Sequence, residues 1–239
     1  MSHAGIAALA LAALALVAPG VQAAETGTFD LRLGPIRAGT LSYALEERGG
    51  RYAASGAMRS GGLAGLFLDT SVDAHARGRA EGNRYRPESF SSSTTEDGGT
   101  EELAFAYSGG TPKVTRTPER TKTPKHAAPA SEQAGTVDPM TAAFAILRDR
   151  PADLACDLAI DLYDGRRRAD IRLVGGQPTG DGGLECRGEY RRVAGFSPKE
   201  LAEKPVWPFT VIYAPEDGTL RVTELRVPTT FGNFRMVRR

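Results

Sequence analysis

His75 lies between Asp73 and Arg77 in the run SVDAHARGRA, residues 71–80, and is the first side chain to weigh for acid–base chemistry. A hydrolase of the Ser–His–Asp type needs a nucleophile, a base and an orienting carboxylate that converge. The run alternates. Val72, Ala74 and Ala76 share one face, and Asp73, His75 and Arg77 share the other, which reads as the exposed face of a strand. No G-x-S-x-G elbow supplies a nucleophile. Glu46-Glu47 and Glu101-Glu102 are paired carboxylates. Adjacent strand residues point to opposite faces, so neither pair can flank one glycosidic bond. No phosphate loop, dinucleotide fingerprint, zinc spacing or EF-hand is present. The reading is of a chain without a catalytic constellation, and it requires no cofactor and no metal.

Cys156 and Cys186 are the only cysteines. In an exported chain an even pair reads as a disulfide. Metal binding is the rival, but only His75 and His126 remain as histidines once the extreme N-terminus is set aside. Export itself is read from IAALALAALALV, residues 6–17, followed by Pro19-Gly20 and the small-residue site Val21-Gln22-Ala23. This is the order of a signal peptide over residues 1–23, and the run is short for a membrane span. No later stretch is apolar enough to span, so no transmembrane segment is expected after cleavage. The expected location is the periplasm.

Residues 24–239 are then expected to form a single β domain. Net charge is +1, from 30 basic and 29 acidic residues, so no field draws the chain to nucleic acid. Twenty-eight glycines and fifteen prolines imply many turns. TFDLRLG, TLSYALEE, RYAASGAMRS, NRYRPESFSSSTTE and TEELAFAYS read as half-buried strands, while GGLAGLFLDT, residues 61–70, interrupts the alternation. Residues 109–135 are rich in Pro, Thr and Lys and read as a mobile loop beyond a short strand near Lys113–Thr117. Lys113, Arg116, Arg120, Lys122 and Lys125 suggest an anion-binding arm, but no aromatic residue is interleaved to stack on bases. A solvated charged loop is the preferred reading, and His126 within it is given no ligand role.

DPMTAAFAILRDRP, residues 138–151, predicts a helix. Asp138 is its cap, Pro139 its first residue, Arg148 and Arg150 lie at its negative end, and Pro151 stops it. Met140, Ala143, Phe144 and Leu147 form one stripe, which packs on a sheet or lines an apolar cavity. Met140, Phe144 and Leu147 are therefore the candidate ligand-binding residues.

The stretch CDLAIDLYDGRRRADIRLV, residues 156–174, predicts a hairpin around a two-residue type I′ turn at Asp164-Gly165. That turn sets Asp161 opposite Arg168, Ile160 opposite Ala169 and Asp157 opposite Arg172. One face then collects Cys156, Leu158, Ile160, Leu162, Ala169, Ile171 and Leu173. Tyr163 then faces Arg166 and Leu162 faces Arg167, and the scheme leaves the role of these two arginines unexplained. In LECRGEYRRV, Leu184, Cys186, Gly188 and Tyr190 share a face, so both cysteines point inward and a disulfide would join neighbouring strands. WPFTVIYAPEDGTLRVTELRV, residues 207–227, predicts two more strands, and FGNFRMVRR a last one.

The succession GTVDPMTAAFAILRDR, ACDLAIDLYDGRRRADIRL and ECRGEYRRVAGFSP resembles the DUF3108 family of exported bacterial proteins. The resemblance covers about residues 28–235 and is concentrated in 135–198. It implies an envelope protein with a curved, half-barrel-like antiparallel sheet and one amphipathic helix packed on it. It supplies no catalytic residue. A curved sheet closed by a helix is also similar, in architecture, to periplasmic carriers of the LolA/LolB type. The functional expectation is a non-catalytic periplasmic carrier for a lipid or an envelope glycan. The alternative is an envelope scaffold or assembly factor that binds another protein.

Overall fold

The structure is a computed structural model and describes residues 24–61, 69–229 and 232–239. The signal peptide expected over 1–23, and most of the interruption expected at 61–70, lie outside the described residues. In the first half the chain forms β1 (Glu25–Leu33), β2 (Ile36–Arg48), β3 (Arg51–Ser60), β4 (Thr70–Glu81), β5 (Arg84–Glu96), β6 (Gly99–Ser108) and β7 (Thr111–Thr117). Helices α1 (Pro139–Leu147) and α2 (Ala152–Ala155) follow. The second half is β8 (Leu158–Tyr163), β9 (Arg168–Pro178), β10 (Leu184–Ala194), α3 (Pro198–Glu203), β11 (Val206–Glu216), β12 (Thr219–Thr229) and β13 (Gly232–Arg238).

All thirteen strands belong to one antiparallel sheet in the order β7-β6-β5-β4-β3-β2-β1-β13-β12-β11-β10-β9-β8. Each half is a meander of neighbours in sequence, and β1 pairs with β13 in the middle. Two-residue turns with both φ angles positive, Asp97-Gly98 and Asp217-Gly218, match the hand of the strand twist. Inward positions form the core, with Phe29, Leu45, Tyr52, Ala76, Phe90 and Phe105 from the first half and Leu158, Leu173, Val211, Tyr213 and Val222 from the second.

The sheet curls but is not closed, because β7 and β8 do not pair. A strap covers the seam between them. Gly135 N–H donates to Gly110 O at 2.9 Å on one side. Val137 N–H donates to Asp161 O at 2.7 Å, and Tyr163 N–H to Val137 O at 2.8 Å, on the other. The strap thereby satisfies part of an edge that would otherwise recruit a foreign strand. In the stretch 109–135 the short strand expected near Lys113–Thr117 is β7, and the part beyond it, expected as a mobile loop, carries a 3-10 turn at Ala130–Glu132, with Ala128 N–H donating to Arg166 O at 2.8 Å.

Helix α1 sits inside the curl. Asp138 caps it, accepting from Thr141 N–H at 2.8 Å and Thr141 Oγ1 at 2.7 Å, with Pro139 in the first position as expected. The burial is wider than a stripe: Met140, Thr141, Ala142, Phe144, Ala145 and Leu147 are all buried. The helix also ends earlier than expected. Arg148 is already extended, and Arg148 and Arg150 do not serve its last turn. The Arg148 guanidinium reaches Glu47 and the Gly82 carbonyl instead. Arg150 bridges its main chain to Leu220. Pro151 stands before α2 rather than stopping α1.

The hairpin register also departs from expectation. Tyr163 pairs with Arg168, Asp161 with Asp170 and Ile160 with Ile171, a shift of two residues. Asp164 Oδ1 accepts from the amides of Arg166 at 2.9 Å and Arg167 at 2.6 Å, which builds a wider loop over 164–167. A shift of two preserves parity, so Leu158, Ile160, Ala169, Ile171 and Leu173 remain buried together. Asp161 is held by Arg168 at 2.9 Å and Arg172 at 3.3 Å, not by opposed Asp–Arg pairs. Burial and the facing Asp161 raise the Asp170 carboxyl above its ordinary range.

Cys156 and Cys186 form a disulfide. Cys156 belongs to the turn after α2, not to a strand, so the bond ties that turn to β10 rather than joining neighbouring strands. Gly176, opposite Cys186 on β9, leaves the room: a Cβ there would lie 3.0 Å from Cys156 Sγ.

Candidate functional site

Alternation along β9 to β11 places Ile171, Tyr190 and Trp207 in one inward row, with Ile171 paired to Tyr190 and Tyr190 to Trp207. In the next row Gly188 stands opposite Phe209. Leu225 and Val227 of β12 and Ile146 of α1 complete the wall of an apolar cleft of about 400 Å³. That volume lies within the usual ~300–1,000 Å³ range of ligand pockets.

The rim of the cleft is cationic. Arg167, one of the two arginines without a role in the sequence scheme, lies 4.9 Å from the Phe196 ring centre. Arg192 lies 5.1 Å from Phe196 and 5.6 Å from Trp207, and Lys204 Nζ 3.7 Å from Trp207. Helix α3 organises this rim through a capping box between Ser197 and Glu200. Hydrogen bonds from the Ser197 amide and hydroxyl, with Arg167 and Arg192 nearby, hold the Glu200 carboxyl below its ordinary range. Glu200 pairs with Arg167 at 2.8 Å. Arg192 donates to the Glu200 carbonyl at 2.5 Å and forms no ion pair with a carboxylate among the described residues. An apolar wall with a cation at its mouth suits an amphiphile whose polar end is anionic.

Met140, Phe144 and Leu147 are gathered in the packed interior. Phe144 stacks on Tyr52 at 4.6 Å between ring centres and meets Tyr85 edge-on at 5.9 Å. Met140 Sδ lies against Gly56, 3.2 Å from where a Cβ would stand. None of the three lines the cleft; their neighbour Ile146 does. The inward series Trp207, Phe209, Val211 in WPFTV was the available signal for the cleft wall.

On the outer face, three shallow clefts of about 580, 450 and 320 Å³ share His75 among small side chains such as Ser55, Ser91 and Ala104. Ser55 and Ser91 are its cross-strand neighbours. Asp73 is engaged by Arg59 at 2.7 and 2.8 Å, and no hydrogen bond joins it to His75 among the described residues. Glu46 and Glu47 do diverge, Glu46 to the outer face and Glu47 inward to Arg148. Glu101 takes Arg116 and Arg120, two members of the expected basic arm. Lys113, Lys122 and Lys125 are exposed. Among the described residues no three His, Cys, Asp or Glu side chains converge as a metal site.

Residues 28–236 match the family described as protein of unknown function (DUF3108). The chain belongs to the DUF3108 family. Among solved structures, this DUF3108 protein is similar to the beta-barrel-like protein of domain of unknown function DUF1849 from Brucella abortus. The TM-score is 0.51 and the identity 11%, over 91% of this chain and 96% of that chain. The likeness is one of fold. No curated protein matches. No helix among the described residues of the DUF3108 chain is long and apolar enough to cross a membrane.

Proposed function

We propose that this DUF3108 protein is a non-catalytic periplasmic binding or carrier protein, and that its ligand is a lipid-like amphiphile with an anionic end. The observation that carries this is the cleft: Ile171, Tyr190, Trp207 and Phe209 form an apolar wall, and Arg192 at its mouth forms no ion pair with a carboxylate among the described residues. The acyl part of the ligand lies against the wall and α1, where apolar surface leaves water. The anionic end meets Arg192 and Arg167. The disulfide fits an oxidising compartment and supports an exported carrier.

Trp207 is the only tryptophan in the chain, so its fluorescence reports directly on the cleft. Titration with oleate or lysophosphatidylglycerol is expected to shift and saturate that emission. Arg192→Gln should weaken the response, and a neutral monoacylglycerol should bind less well than the anionic probes. Unchanged emission with every probe would refute the reading. Gentle purification from periplasm, followed by native and then denaturing mass spectrometry, identifies the natural occupant. Recovery of a stoichiometric protein partner and no lipid would favour the scaffold instead.

A further inference from the structure

Arginines from four successive strands stand directly opposite one another on the outer face. Arg48 faces Arg51, Arg51 faces Arg79, and Arg79 faces Arg86. Like charges in direct cross-strand register are destabilising. All four are exposed. Glu88 contacts Arg79 at 3.3 Å and Arg51 at 3.7 Å. Arg48, Arg84 and Arg86 have no carboxylate within 4.0 Å among the described residues. Arg51, Arg79, Arg84 and Arg86, with Ala80, Glu81 and the Gly49-Gly50 turn, wall a cleft of about 440 Å³, in which four guanidinium groups outnumber one carboxylate.

The charge extends behind this surface. Arg150 is 1% exposed, has no carboxylate partner among the described residues, and leaves Nε and Nη2 without acceptors. Arg148 lies beneath the neighbouring turn, donating to the Gly82 carbonyl at 2.6 Å. The arginine cleft and the apolar cleft are at opposite ends of the sheet. Arg48 lies near the Glu25 end of β1, which pairs Glu25 with Leu45, whereas Val227 pairs with Phe234, which pairs with Leu33 at the other end.

We infer that the arginine cleft is a second binding site, for an anion bearing more than one phosphoryl group. Every cation in its wall is arginine and none is lysine. The planar guanidinium fork matches phosphoryl oxygens bidentately. Neighbouring strands are roughly 4.8 Å apart, so the row offers several forks to one extended anion rather than one fork to a lone carboxylate. The anion is either free or the headgroup of a phospholipid, and the recognition chemistry is the same for both.

The test uses inorganic tripolyphosphate in calorimetry, and flotation with cardiolipin-containing or pure phosphatidylcholine vesicles, cardiolipin being the phospholipid with two phosphoryl groups. The wild type and an Arg79→Gln/Arg86→Gln variant are compared, with circular dichroism confirming that both are folded. Tripolyphosphate is expected to bind, to weaken at least tenfold in the variant, and to weaken further with added salt. Binding of tripolyphosphate assigns a free anion. Flotation with cardiolipin but not phosphatidylcholine vesicles, without tripolyphosphate binding, assigns the lipid headgroup. No binding to either probe, or equal binding by the variant, overturns the site. Trp207 emission lies outside this readout, so the two clefts fail or stand separately.

Discussion

The ring of Phe209 on β11 occupies the space that a side chain on Gly188 of β10 would need. The two residues are directly opposite, and the missing Cβ is what lets the ring lie flat against the sheet. Phe209 is 9% exposed and forms part of the cleft wall. A glycine here weakens the strand slightly and shapes the cavity.

Gly188→Val is therefore expected to displace the ring toward the cleft. Overpacking of this kind costs about 1–3 kcal/mol. Urea denaturation should show a lower midpoint, and Trp207 emission should lose its response to oleate. A second change, Phe209→Leu, should recover part of the stability by freeing the contested space.

Asp138 couples the interior to pH. Burial pushes its carboxyl up to about 6, against the opposing hydrogen bonds from Thr141. The folded state thus holds this proton more tightly than the unfolded chain does. Its stabilising effect is complete below the unfolded value near 3.8 and is lost as pH rises through about 6. Asn keeps the cap without a charge. The stability difference between Asp138→Asn and wild type should move in favour of Asn by roughly 3 kcal/mol from pH 3.5 to pH 7. A difference that stays constant across that range would mean Asp138 does not titrate there.

The disulfide closes a separation of 30 residues that includes β8 and β9. The paired change Cys156→Ala/Cys186→Ala is expected to cost about 2–4 kcal/mol, chiefly by freeing the unfolded chain. Guanidinium unfolding of the variant, compared with the oxidised wild type, measures this. Hydrogen exchange should rise first around α2, whose turn the bond holds to β10.

Local chemistry accounts for what was legible in the sequence. Alternation identifies the strands because it acts within a few residues, and the structure closes two of the hairpins on the local Asp97-Gly98 and Asp217-Gly218 turns. The Asp164 hairpin was misjudged by two residues because a side chain, capping the Arg166 and Arg167 amides, widened the loop. Inward faces survived that error because their period is two. The end of α1 was misjudged because Arg148 is drawn out of the helix by Glu47, a residue 101 positions away. The apolar cleft escaped for the same reason: its wall comes from four strands and a helix that only the sheet order assembles. Arg167 was conspicuous as a residue without a role, and the structure gives it one at the cleft rim.

The pairing of β1 with β13 has a consequence for how the molecule is made. Asp30 and Arg239 meet there across 209 residues, while all other strand pairs in the described sheet join neighbours in the chain. Each meander can gather early from short loops, but the central joint must wait for the longest closure in the molecule. The joint also covers two strand edges, β1 and β13, that neither meander can pair by itself, so one long-range closure turns two half-sheets into one continuous sheet.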